Sequence, residues 1–231
     1  MTRPGISEEQ FFNRITERLR RPGGRIPEEK PKHPFRGAPD FWQSYELDLE
    51  DRVKQFMDHF HSTGGHTVRL ENDQAAADWI ERHIKETHAQ NIIYQNEPSL
   101  RAMELEGQLP DLKWKVWDGA EGVSLLHDSS EADIGIVMAD YGACHTGTVV
   151  CMSGRYKGRS VSLLPTQLIV ILPISRLKTR LGEVMEELNA LNGNLPAGIH
   201  FISGPSRSAD IENDLTIGVH GPGIVYVLLV G

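Results

Sequence analysis

The 231 residues carry 24 Lys and Arg against 32 Asp and Glu, a formal charge of −8, with 39% hydrophobic and 24% charged residues. A chain of this length and balance buries a full core, which excludes wholesale disorder. Its acidity opposes nonspecific attachment to nucleic acid, and no apolar run is long enough for a membrane span.

Ser7 and Gln10 stand at capping-box spacing, and Phe11, Phe12, Ile15 and Leu19 then recur at helical intervals until Pro22-Gly23-Gly24. This opening mixes acids and bases without the apolar stretch of a secretory leader, so a cytoplasmic protein is expected. From Pro22 to Pro39 the chain is rich in proline, glycine and charge and reads as an extended arm. Asp48 then caps a second helix striped by Leu49, Val53, Phe56, Met57 and Phe60. Residues 1–63 are accordingly expected to form an N-terminal helical extension, and 64–231 an α/β domain.

After Gly64-Gly65, His66–Leu70 reads as a strand, Asn72 caps a helix striped by Ala76, Ile80 and Ile84, and Ile92–Tyr94 reads as another strand. Ile134–Ala139, Thr148–Met152, Leu168–Leu172, His200–Ser203 and Ile224–Val230 are further runs of branched residues. A long helix is expected from about Ser175, with Leu177, Leu181, Val184, Met185, Leu188 and Leu191 on one face and Asn192-Gly193 as its stop. Strands alternating with helices predict an α/β fold, a largely parallel sheet with helices on both faces.

Two cysteines, Cys144 and Cys151, cannot supply a four-cysteine cluster, and their spacing matches no zinc or redox motif. A disulfide between them is open, but reduced thiols suit a cytosolic core better. His59, His61 and His66 lack acidic or thiol partners at ligand spacing and read as solvated, so no metal is expected.

Three loops carry candidate chemistry. The first, Asp140-Tyr141-Gly142-Ala143-Cys144-His145-Thr146-Gly147-Thr148, joins two strands, where ligands of α/β sheets gather. Its glycines, amides and hydroxyls suit a phosphate or carboxylate, or else simply form a tight turn. Ser203 through Glu212 follows another strand. There Gly204, Ser206 and Arg207 can meet an anion, while Asp210 and Glu212 can orient Arg207, transfer a proton or merely cap a helix. Gly218–Gly223 is a glycine-rich turn holding His220, a further candidate ligand contact, or else simply a hairpin or strand connection. Arg155, Lys157 and Arg159 either extend an anion site or form a charged hairpin tip.

Read in order, Ala132–Ile136 through Thr146-Gly147-Thr148, Arg159–Pro165, Ser203–Glu212 and Gly218–Pro222 resemble the LUD domain, a family of lactate-utilization proteins. The resemblance implies a fold similar to that of ribose-phosphate isomerases and CoA transferases. It also implies a part in oxidising L-lactate to pyruvate beside partner subunits that hold the iron-sulfur clusters, with no cofactor in this chain. Ligand contacts would fall on His145, Thr146, Gly147, Thr148, Gly204, Ser206, Arg207 and His220. The chain departs from the family pattern at His145, where an acid is common, and at Gln167-Leu168, where a histidine is frequent. An independent isomerase or acyl-CoA transferase using Asp140, Asp210 or Glu212 stands as the alternative, as does a ligand-binding regulatory protein.

Overall fold

The computed structural model describes residues 7–18, 45–119, 122–209 and 215–231, in two units divided between Ser44 and Tyr45. In the first, α1 (Glu8–Arg18) starts with reciprocal 3.2 Å bonds: Ser7 Oγ accepts from the Gln10 amide, and Gln10 Oε1 from the Ser7 amide. The Pro-rich arm expected at 22–39 lies outside the described residues.

The larger unit opens with α2 (Leu49–Ser62), capped by the Asp48 side chain, and β1 (His66–Leu70). Next come α3 (Asp73–Thr87), capped by Asn72, β2 (Asn91–Gln95), the short helices α4 (Pro98–Ala102) and α5 (Leu105–Gln108), and β3 (Lys113–Trp117). They are followed by α6 (Gly122–Ser130), β4 (Ile134–Met138), the hairpin β5 (Tyr141–Ala143) and β6 (Thr148–Met152), α7 (Arg159–Leu163) and β7 (Gln167–Pro173). The chain closes with β8 (Leu177–Lys178), α8 (Leu181–Asn189), β9 (Ile199–Ile202), β10 (Arg207–Ala209), β11 (Leu215–Ile217) and β12 (Ile224–Val230).

Six strands make a wholly parallel sheet in the order β1-β12-β7-β4-β2-β3. The innermost, β4, β7 and β12, are nearly continuous runs of Ile, Val and Leu because both of their faces are buried. One face packs Ile136, Ile169, Ile171 and Leu228 against Ala76, Ile80 and Ile84 of α3. The other packs Val170, Leu172 and Val227 against Phe56 and Phe60 of α2 and against Cys144, Val149 and Cys151. The helix grouped above with the extension therefore belongs physically to the core of the larger unit. No helix among the described residues is long and apolar enough to cross a membrane.

Two expectations need correction. Thr148–Met152 and His200–Ser203 do not join the parallel sheet: β6 and β9 pair antiparallel in a second sheet, ordered β8-β5-β6-β9, which lies over the central sheet. The helix expected from Ser175 begins only at Leu181. Leu177 instead pairs in parallel with Gly142 as part of β8, and the buried Thr179 hydroxyl accepts from the Leu47 amide at 3.2 Å. These sheet and core bonds hold residues 177–179 extended against the apolar periodicity.

Candidate functional site

The loop between β5 and β6 rests on the C-terminal end of α2. Gly147 has φ +56°, and a Cβ there would lie 2.7 Å from the Phe60 nitrogen and 2.8 Å from the His59 carbonyl carbon, so only glycine permits this approach. Close contact brings the loop's hydroxyls together. Thr148 Oγ1 bonds Thr146 Oγ1 at 2.7 Å and lies 2.8 Å from Ser203 Oγ, which belongs to the loop leaving β9.

That second loop reaches the same helix end. Gly204 has φ +124° and sits so near Thr63 that a Cβ would lie 2.7 Å from its hydroxyl oxygen. Arg207 donates to the Thr63 carbonyl. Thr146, Gly147, Thr148, Gly204 and Arg207 thus come together around His59–Gly65, joined by Thr63 and Ser203. Thr63 carries no motif signal; only its place at the end of an amphipathic helix before Gly64-Gly65 could have drawn attention to it.

Ser206 takes another direction. Its amide donates to the Pro222 carbonyl at 2.9 Å and its carbonyl accepts from the Gly218 amide at 3.0 Å, which fastens the second loop to the third. His220 is exposed in that third turn. Asp210 and Glu212 lie outside the described residues.

His145 is exposed at the loop tip, its amide bonded to the Thr179 carbonyl at 3.0 Å. The rings of Tyr45 and His59 stand 6.2 and 6.3 Å from it, edge to face. Tyr45 and His59 also line a shallow groove of about 340 Å³ along the polar side of α2, with Asp51, Lys54, Gln55 and Asp58.

The acidic candidate sits elsewhere. Asp140 lies at the open end of the β5–β6 hairpin, some four residues of strand and so ~13 Å from the Thr146–Thr148 tip. Its Oδ2 accepts from the Met152 amide at 2.6 Å and its Oδ1 from Lys157 at 2.7 Å, while Glu97 stands 3.4 Å from the same ammonium. Burial alone would lower the Lys157 pKa, but the hydrogen bond and charge of Asp140, reinforced by Glu97, raise it above the ordinary value. Lys157 is therefore committed to its acids. Arg155 lies over the Tyr156 ring at 5.6 Å.

His61 Nε2 accepts from the Thr67 amide at 3.1 Å, His59 Nδ1 lies 3.0 Å from the Cys144 carbonyl, and His66 stacks on Tyr226. Among the described residues no three His, Cys, Asp or Glu side chains gather as a metal-binding group. Both cysteines are buried and unbridged.

Comparison with known proteins adds a family. The LUD domain matches residues 53–230. Lactate utilization protein C of Halalkalibacterium halodurans is 38% identical over 218 residues, covering 93% of each chain. Lactate utilization protein C of Bacillus subtilis is 32% identical, over 94% of this chain and 92% of its own. A crystal structure of a DUF162 family protein from Deinococcus radiodurans superposes with a TM-score of 0.58 over 80% of this chain and 99% of its own, at 17% identity, a likeness of fold.

Proposed function

The chain belongs to the LUD domain family, and from that premise we propose that it serves lactate utilization as an accessory subunit in the cytoplasm. In this reading it works beside iron-sulfur partner proteins that carry the electrons from L-lactate to their acceptor. Its own contribution is to hold a small carboxylate, a phosphate-bearing ligand or a partner's cofactor.

The observation that carries the ligand part is the convergence of Thr146, Thr148, Ser203 and Arg207 on the end of α2. Hydroxyls and a guanidinium at one place offer donors to an anion, and glycines at 147 and 204 let two backbones approach it closely. An independent acyl transferase draws no support from the described acid in these loops. Both oxygens of Asp140 are engaged, and an imidazole at position 145 cannot form the acyl anhydride that such chemistry needs.

The test is genetic and biochemical together. Deletion of the gene in its native cell should abolish growth on L-lactate while leaving growth on pyruvate intact, and affinity-tagged chain purified anaerobically from that cell should carry iron-sulfur proteins with it. Normal growth of the deletion strain on L-lactate would overturn the reading. The Arg207→Ala variant should bring down the same partners but restore growth poorly.

A further inference from the structure

Strand β9 is the outer strand of the second sheet, hydrogen-bonded among the described residues along one side only, to β6. Ile202 packs into the central core, so His200, two residues earlier, lies on that same face. The Nε2 atom of His200 is shielded from solvent yet has no hydrogen-bond partner among the described residues, and Ser153 Oγ is in the same condition. Both atoms lie beside Gly198. A Cβ placed on that glycine would stand 3.1 Å from His200 Nε2, 3.5 Å from Ser153 Oγ and 2.8 Å from Arg159 Cδ. The Ser153 amide donates to the Gly198 carbonyl at 2.9 Å, which holds the two segments in register.

We propose that Ser153, Arg159 and His200 form a binding site for a small oxyanion, a carboxylate or a phosphate, with the bare backbone of Gly198 as its floor. Shielded polar atoms without partners are rare in folded proteins, and here two such atoms share one point. The chemistry of the three groups selects the ligand. A serine hydroxyl, an imidazole N–H and a guanidinium all donate, so an acceptor-rich anion satisfies them together, whereas the charge of Arg159 repels a metal cation. The Arg159 stem lies across the site while the residue as a whole is exposed, so its head group can swing outward to admit an anion and then pair with it. Burial, and next the nearby Arg159 charge, lower the His200 pKa, a combination that a bound anion would offset.

This site is separate from the cluster around Thr63. It stands at the opposite end of β9 from Ser203, about 10 Å along the strand, and does not rest on the lactate reading. The test uses the full chain labelled with ¹⁵N-histidine, the His200 ring signals being those lost in His200→Gln. Sodium L-lactate and sodium phosphate are titrated separately at fixed pH against sodium chloride of equal ionic strength. The expected result is a saturable shift of the His200 signals with a dissociation constant on the order of millimolar, weakened about tenfold or more in both Arg159→Gln and Ser153→Ala. A response to lactate alone assigns a carboxylate site, and one to phosphate alone assigns a phosphate site. Arg207→Ala leaves this titration unchanged, so the failure of one site is distinguishable from the failure of the other. Absence of saturation with either anion, shifts no larger than those of chloride, or full affinity in both variants would overturn the proposal.

Discussion

The guanidinium of Arg207 donates to the main-chain carbonyl of Thr63, 144 residues earlier in the chain, and so clamps the loop after β9 onto the end of α2. The bond satisfies a carbonyl that the helix end leaves open. Arg207→Ala should release the loop at a cost of about 1 kcal/mol, because the pair is exposed. Native-state hydrogen exchange of residues 203–208 is the measurement, and amide protection there equal to wild type would refute it. Arg207→Lys keeps the charge but loses the planar fork, so its protection should fall between the two.

Gly147→Ala and Gly193→Ala both force alanine into positive φ, at +56° and +84°, but only the first meets backbone. Nothing lies within 4 Å of the added methyl at 193, so that variant should lose about 1 kcal/mol, the backbone term alone. At 147 the methyl meets His59 and Phe60 main chain, and the loss should reach roughly 3 kcal/mol or more. Urea unfolding curves compare the two directly. Equal midpoints would mean that the loop is free to shift off α2.

Burial pushes the Cys144 thiol up to about 11 and the Cys151 thiol to about 12, the latter helped by the charge of Asp140. A thiol held neutral by the fold favours folding fully below the pKa it has when unfolded, ~8.5, and that advantage is lost as pH climbs toward the folded values. The urea midpoint should therefore fall between pH 8 and pH 10. A disulfide-exchange reagent should find no fast thiol in the native protein and both after denaturation. Rapid stoichiometric labelling of Cys144 in native protein would contradict this account.

Lys157 is the cation shared by Asp140 and Glu97. Lys157→Met should cost about 2 kcal/mol, less than for a fully buried ion pair because these side chains are 12–23% exposed. In a double-mutant cycle with Asp140→Asn the losses should fall short of additivity by about 1 kcal/mol. Strict additivity in thermal or urea unfolding would show that Asp140 is held by the Met152 amide alone.

Local sequence signals suffice where they need no distant partner. The caps at Asp48 and Asn72 form as their positions implied, accepting from the Asp51 and Ala75 amides at 2.9 Å. The buried strands β4, β7 and β12 announced themselves because both faces are apolar. The spacing of Leu177 continues the stripe of α8, while its pairing with Gly142 is a long-range bond that no local periodicity encodes. Strand β3, Lys113–Trp117, mixes lysines with large apolar side chains at the edge of the sheet and so lacks the branched apolar run of the buried strands. Within the candidate site the two glycine loops were legible by composition, yet their meeting at Thr63 depends on tertiary packing of α2. The unpartnered atoms at Ser153 and His200 leave no sequence trace at all.

The last of the described strands in chain order, β12, is an interior strand, lying between β1 and β7. Until it arrives, the first strand of the sheet has no neighbour to pair with, and Leu229 and Val227 are missing from the core beneath α2. The central sheet therefore cannot close until β12 has joined it. Loss of β12 would leave β1 and β7 open, two unpaired edges ready to pair with the wrong partner.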